Sequence, residues 1–375
     1  LYDWVTSHWL QTSVFYGLPV LIAIIAGQFV LAERQRIREN FLYIGFKDGG
    51  GRTPYLVDSK TKNKYVTYIF KSDIPLVRWL AESAKLQTAL DCNIVEVRQG
   101  RSKKIVEVMT LPTNVVIPTL LRWENNFIAE KESVYVAGQT AVEQVQFDIS
   151  KSPHVLCAGQ TGGGKSVALR SLMNQAYRKL CRVYMMDFKG GVEFGTDFEV
   201  FGQPVITELA QAIPVLEKMV TEIKLRLLLF RKAGVKNLES YNKRNPERAL
   251  CRVIVAVDEL AEMMDMHGAT GAERTFRNTA RGHLSTIARL GRAPGVHLFL
   301  GIQRPDAQVV TGQIKNNVPV RICGPFPDPV ASEIVLGNTR AYELDAKIQG
   351  RMLFQNGAGT IEFQSYLFDD YQLFS

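Results

Sequence analysis

The sequence predicts an α/β fold, and three observations predict it. A glycine-rich loop lies between an apolar run and a helical run. Further short apolar strands alternate with amphipathic helices after it, and several of those strands end in acidic or polar residues. Ahead of this large part, the pattern predicts a small α+β unit and, at the start, a transmembrane helix. The expected partition is 1–39, 40–111 and 112–375.

Val14 to Ala32 reads VFYGLPVLIAIIAGQFVLA, with no charged residue. At about 1.5 Å per residue it would span roughly 28 Å, close to the thickness of a bilayer core. Trp4, Trp9, Phe15 and Tyr16 stand where an aromatic belt would be, and Arg34, Arg36 and Arg38 follow the apolar run. Residues 1–13 carry no Lys or Arg, so charge asymmetry puts the large C-terminal part in the cytoplasm, anchored at the cell membrane. A secretory signal would carry its basic residues before the apolar run. The chain starts at Leu1 rather than Met, so further residues are expected upstream.

Residues 33–64 read as a connector with a turn at Lys47-Asp48-Gly49-Gly50-Gly51-Arg52. Tyr65–Phe70 reads as a strand and Pro75–Leu90 as a helix. Asn93–Arg98 and Lys104–Met109 read as a hairpin around Gln99-Gly100-Arg101-Ser102-Lys103. This β-α-β-β unit carries no chemical motif and reads as a packing or assembly module.

In the large part, Gly159-Gln160-Thr161-Gly162-Gly163-Gly164-Lys165-Ser166 follows the pattern G-x-x-x-x-G-K-[ST], between the apolar Val155–Ala158 and a helix opening at Val167. The glycines let the backbone curl so that several N–H groups point inward, and the helix N-terminus adds partial positive charge. That combination binds the phosphates of a nucleotide. Lys165 would reach the β- and γ-phosphates and the Ser166 hydroxyl would ligate Mg²⁺. Arg182–Asp187 reads as the next strand. Thr207–Ala233 reads as a helix capped by Thr207 and closed by Gly234, with Met219, Leu225 and Leu228 expected in the core. Val253–Val257 then runs into Asp258-Glu259. Downstream of a phosphate loop, an apolar strand ending this way supplies a metal-holding carboxylate, Asp258, and a group that polarises the attacking water, Glu259. The strand His297–Ile302 ends in Gln303, placed to sense the γ-phosphate.

Composition permits a sizeable core: 46% of residues are hydrophobic and 22% charged. The net charge of +8 suits nucleic acid or an anionic surface without choosing between them. The five cysteines show no C-x-x-C spacing and four of them sit in or beside apolar runs, so buried thiols are expected rather than a zinc site or a disulfide framework.

Taken together these stretches resemble the FtsK/SpoIIIE family of ring-forming DNA translocases. The likeness rests on Ser152–Gly159 leading into the phosphate loop, Asp187-Phe188-Lys189-Gly190-Gly191-Val192-Glu193, Asn237–Asn242 and Val257–Met264. It continues through Gly295–Leu298, Gln303-Arg304-Pro305 and Val310–Ile322, so it covers most of 134–355 in family order. The resemblance implies a RecA-like motor domain, a homo-hexameric ring threading DNA, and ATP hydrolysis between subunits. It places Arg292 as the finger acting on a neighbour's nucleotide, with Arg289 nearby, and Arg304 and Lys315 against the DNA backbone.

Pro329 and Glu333 stand where division translocases are basic, and Arg351 where an acidic residue is common. Residues 265–285 are longer and more polar than the family pattern and read as a mobile loop, or as a DNA or partner contact through Arg274, Arg277 and Arg281. The chain stops at Ser375, soon after the last expected strand, which leaves no room for a winged-helix domain. In this it looks most like the FtsK-type coupling proteins of Gram-positive conjugative elements, whose implied partners are a relaxase and a secretion channel. A chromosome-partitioning translocase and a type VII-like protein-export ATPase are the alternatives; the latter usually carries tandem motors, and one phosphate loop occurs here. A non-hydrolysing scaffold fits poorly with intact Lys165, Ser166, Asp258 and Glu259.

Overall fold

The computed structural model describes residues 18–195, 204–357, 359–369 and 372, without the side chains of 18–27, 29 and 313. The chain divides into two compact units, 1–116 and 117–375.

In the first unit, helix α1 (Leu18–Tyr43) precedes strands β1 (Tyr55–Lys62) and β2 (Tyr65–Lys71), helices α2 (Leu76–Ala81) and α3 (Ser83–Leu90), and strands β3 (Cys92–Gln99) and β4 (Ile105–Pro112). The four strands order as β1-β2-β4-β3, antiparallel throughout. The expected β-α-β-β elements are therefore joined by a strand and a long helix in the segment read as a connector. The reason lies in the packing. Ile37 and Phe41 of α1 are buried with Phe46, Phe70 and Trp79, and the Phe46 and Trp79 rings meet edge to face with centroids 4.9 Å apart. Arg34 donates to the Val57 carbonyl at 2.6 Å, and Asn40 to the Ala89 carbonyl at 2.7 Å. The expected membrane span falls partly on residues 14–17, outside the described residues. Among the described residues, no helix is long and apolar enough to cross a membrane.

The second unit is built on a nine-stranded sheet, ordered β6-β5-β13-β12-β11-β7-β10-β9-β8 among the described residues. Five strands are parallel: β7 (Val155–Ala158), β8 (Arg182–Met186), β9 (Val253–Val257), β10 (Val296–Ile302) and β11 (Val320–Cys323). The other four, β5 (Val134–Gln139), β6 (Gln144–Asp148), β12 (Arg351–Asn356) and β13 (Thr360–Ser365), extend the sheet antiparallel. The expectation of a parallel sheet thus holds for its motif-bearing half alone. Both faces of that half are covered, as near-continuous apolar strands require. Leu156, Val255 and Leu300 face helices α5 (Leu209–Ala233) and α8 (Gly271–Leu290), between which the short α6 (Leu238–Arg244) and α7 (Leu260–Met264) occur in sequence. Cys157, Ile254 and Phe299 face α4 (Lys165–Arg178).

Three local expectations are corrected. Helix α5 starts at Leu209 behind Glu208, not at a Thr207 cap, although Gly234 closes it in the left-handed conformation (φ 64°). Met219 is buried in the core, but Leu225 and Leu228 are exposed at 57% and 53%. The 265–285 stretch is mostly the helix α8. Its cap Thr270 and Glu273 exchange hydrogen bonds, so polar composition there marks an exposed helix rather than a loop. Cys92, Cys157, Cys181 and Cys323 are buried and free, as expected; burial pushes Cys157 up to about 12 and Cys181 to about 11.

Candidate nucleotide-binding site

The phosphate loop sits between the end of β7 and the start of α4, with β10 on one side of β7 and β11 on the other. This is the crevice at the carboxyl ends of parallel strands, where neighbouring connections run opposite ways. Gly164 takes φ 96° as the residue before α4. A Cβ there would stand 3.1 Å from the Gly350 Cα, so the loop can close on the β12 side only without a side chain.

Lys165 and Asp258 are buried together. The lysine Nζ donates to the Asp258 carboxylate Oδ1 at 2.7 Å and to its backbone carbonyl at 2.6 Å. This contact passes over β10, since β9 is not the direct neighbour of β7. Gly301 in β10 makes it possible. A Cβ at 301 would lie 2.0 Å from the Asp258 carbonyl oxygen and 3.1 Å from the lysine Nζ. The glycine read as an ordinary member of an apolar strand is thus the opening through which the ion pair forms.

The Ser166 hydroxyl donates to Asp258 Oδ1 at 3.5 Å. Asp258 Oδ2 is buried with no hydrogen-bond partner among the described residues. A hydroxyl and an unsatisfied carboxylate oxygen side by side fit a hard cation such as Mg²⁺, which takes one or two protein oxygens and completes its shell with phosphate and water. The residues that would hold it are those expected, Ser166 and Asp258.

Glu259, also buried, turns its carboxylate onto the start of the segment after β10. The Gln303 N–H donates to its two oxygens at 3.2 and 3.1 Å, and the Ala261 N–H to one at 3.4 Å. The Gln303 side-chain oxygen accepts from Thr161 of the phosphate loop at 3.4 Å. It also accepts from Lys189 Nζ at 2.7 Å, and the same ammonium lies 3.3 Å from Glu259 Oε2. Lys189, which the sequence offers only as part of the 187–193 stretch, thus joins the site. Its segment is held by the buried Asp187, which accepts from the backbone N–H groups of Lys189 (3.0 Å) and Glu193 (2.7 Å).

Beside these groups lies a cavity of about 350 Å³. Gln160, Thr161, Gly162, Gly164, Lys165 and Ser166 form its phosphate-loop wall. Leu120, Tyr366 and Leu367 supply an apolar wall, and Gln349 and Gln364 polar edges. Gly163 of the loop lies behind it, its N–H donating to the Gln160 carbonyl at 3.0 Å.

Arg292 is not brought to this cavity. It is exposed in the turn before β10, donating to the Ser150 carbonyl at 3.1 Å, whereas Gln303 follows the strand's other end. Seven residues of strand put roughly 20 Å between the two. The turn is firmly placed, because buried Arg226 donates to the Pro294 carbonyl at 2.9 Å and Leu238 to the Ala293 carbonyl at 3.0 Å. Arg304 is exposed just beyond Gln303, and Lys315 is half-buried on helix α9 (Gly312–Asn317). Pro329 opens helix α10 (Pro329–Leu336) at its first position behind the cap Asp328, a role its fixed φ suits. Arg351 is buried, paired with Glu362 at 2.9 Å and donating to the Ile117 and Pro118 carbonyls.

Residues 129–307 match the model of the FtsK/SpoIIIE family. The chain is 34% identical over 217 residues to the DNA translocase FtsK of Caldanaerobacter subterraneus and 36% identical over 206 residues to that of Campylobacter jejuni. Those matches take in 55% and 52% of this chain but 28% and 21% of the relatives' length. Among solved structures, the pCW3 conjugation coupling protein TcpA, determined with ATPγS, is 43% identical with a TM-score of 0.69; the match covers 92% of this chain and 97% of that one. The EccC type VII secretion ATPase of Thermomonospora curvata shares the fold at 24% identity and a TM-score of 0.53. With the phosphate loop, the Asp258-Glu259 strand end and Gln303 assembled in family order around one crevice, the chain belongs to the FtsK/SpoIIIE family and has the P-loop ATPase fold of an FtsK-type coupling protein.

Proposed function

We propose that this protein is a membrane-anchored, ATP-driven DNA translocase that passes DNA to a mating channel in conjugative transfer. The observation that carries the reading is the buried Lys165–Asp258 pair, with Glu259 bonded to Gln303, beside one cavity that Lys165, Ser166 and Gln303 line. Likeness to a conjugation coupling protein along nearly its whole length supports the choice of pathway.

In this reading the phosphate loop N–H groups and Lys165 bind the triphosphate, and the base lies against Leu120 and Tyr366. Ser166 and Asp258 hold Mg²⁺, which neutralises charge on the phosphate oxygens when bound. Glu259 orients the attacking water and accepts its proton, and Gln303 senses the terminal phosphate. Arg292, far from its own cavity, serves the neighbouring subunit's nucleotide in a homo-hexameric ring. Arg304 and Lys315 meet DNA phosphates, a contact without sequence preference. The apolar stretch from Val14 holds the chain in the cell membrane with the motor in the cytoplasm, where a relaxase and channel proteins are its partners.

The test is steady-state ATP hydrolysis by the full chain with double-stranded, single-stranded or no DNA, at two salt concentrations. Stimulation by DNA that fades with added salt is the expected result, because phosphate contacts are lost to counterions. Stimulation by single strands alone points to a processed conjugative strand. A rate indifferent to both nucleic acids would overturn the DNA reading and favour protein export.

A further inference from the structure

Lys189 ties together the groups that a nucleoside triphosphate would need free. Its Nζ lies 3.3 Å from Glu259 Oε2 and 2.7 Å from Gln303 Oε1, and that Gln303 oxygen is in turn 3.4 Å from the Thr161 hydroxyl of the phosphate loop. Glu259 carries the Gln303 and Ala261 N–H groups as well, so its oxygens are engaged on every side described. Three donors on a carboxylate with about four lone-pair sites leave little room for a water, and the ammonium takes the Oε2 edge. A glutamine whose carbonyl holds an ammonium cannot use it to orient that water either.

The lysine itself is built to move at its tip and not at its root. Its backbone N–H is fixed to Asp187, while its side chain keeps 32% of its surface exposed, against 4% for Glu259. Gly190 and Gly191 follow at φ 81° and 76°, turning the backbone back toward Glu193, which is on the cavity wall with Gln303. The four-carbon stem therefore hangs beside the phosphate loop from an anchored backbone. A terminal phosphate arriving there carries more negative charge than a carboxylate and offers three acceptor oxygens.

We propose that Lys189 is a second phosphate-sensing cation: it exchanges Glu259 and Gln303 for the terminal phosphate of the bound triphosphate and so frees both for hydrolysis. Resting on the ATPase reading above, this assigns the Lys189–Glu259–Gln303 contact the role of a latch that only a triphosphate opens. A diphosphate lacks the group that draws the lysine away, so Glu259 and Gln303 stay latched when product is bound.

The experiment is direct binding of ATPγS and of ADP to the full chain, with Lys189→Met, Lys189→Arg, Lys165→Ala and wild type compared. Lys189→Met is expected to cut the preference for ATPγS over ADP by about tenfold or more, the worth of one charge-assisted hydrogen bond. Lys189→Arg, which keeps the cation, should retain most of that preference. Equal loss for the two nucleotides, or no loss, would overturn the proposal. A wild-type protein that binds neither, with Lys165→Ala no different, would remove the ATPase reading itself and the proposal with it. Glu259→Gln provides a second arm. It should raise the preference for ATPγS, and the gain should shrink when Lys189→Met is also present; equal gains in both backgrounds would show that the two residues do not trade partners.

Discussion

Gly301 and Lys165 show how much of the site depends on single atoms. The lysine reaches Asp258 through the space where β10 has no side chain, and a methyl group placed there would collide with the Asp258 carbonyl. Gly301→Ala should therefore separate two buried charges, a change that costs about 3–5 kcal/mol where one partner of such a pair is lost. Thermal unfolding and ATPγS binding measured together would check it, and unchanged values in both would show that Lys165 reaches Asp258 another way. Glu259 makes a different point. Its burial at 3% exposure and its bonds to Gln303 fit a group held in reserve. Glu259→Gln should bind ATPγS at least as tightly as wild type yet hydrolyse ATP at least about a hundredfold more slowly, the usual worth of a positioned base; wild-type turnover would take Glu259 out of the chemistry.

At the scale of elements, α8 and the lower edge of the sheet offer the clearest tests. Thr270 and Glu273 cap α8 reciprocally. Thr270→Ala should cost about 1 kcal/mol, a fall of roughly 2–4 °C in melting temperature for a domain of this size, with nucleotide binding unchanged. His154 and His297 are buried side by side where β7, β9 and β10 begin. His154 accepts from the Leu298 N–H at 2.9 Å and meets the Ala288 carbonyl at 3.0 Å, and His297 meets Arg252 at 3.0 Å. Burial pulls His154 down from 6.5 to about 4, and burial with the Arg252 charge pulls His297 lower than usual as well. The unfolded chain then binds more protons than the folded one. Stability should be full above pH 6.5 and fall by about 1.4 kcal/mol per unit for His154 between pH 6.5 and 4. Urea melts across that window would show it, and a flat profile would mean that neither imidazole is neutral in the fold.

The same elements show what was legible in the sequence. The phosphate loop, Asp258-Glu259 and Gln303 could be read because each is a local signature at a strand end, and the local pattern is the physics of the site. Lys189 could not, because its partner Glu259 lies 70 residues away and they meet only when β8 and β9 pair. Leu225 and Leu228 match helical spacing but lie on the outward face, since the period gives a stripe and not the direction it points. The reciprocal cap of Thr270 and Glu273 marks the start of α8, but the polar composition around it hides the narrow buried stripe of Ala280, Leu284 and Ile287. The antiparallel half of the sheet carries no motif, and the pairing that joins its two hairpins brings together Gln139 and Gln364, from opposite ends of the unit, which leaves no local trace.

At the scale of the whole molecule, the placement of Arg292 fits a site completed by another copy of the chain. Its turn is braced by Arg226, and it stands about 20 Å from the end of β10 that carries Gln303. Wild-type chains mixed with Arg292→Ala chains should lose ATPase activity faster than the fraction of variant rises; activity merely proportional to wild-type content would argue that Arg292 serves no neighbour. One further consequence comes from α1. It runs unbroken from Leu18 to Tyr43, and its last three turns are clamped into the aromatic core of the first unit by Ile37 and Phe41. A helix gripped this way behaves as a mast and not as a rope. Whatever its N-terminal half is fastened to sets the tilt and the height of the small domain directly, with no slack to absorb a pull.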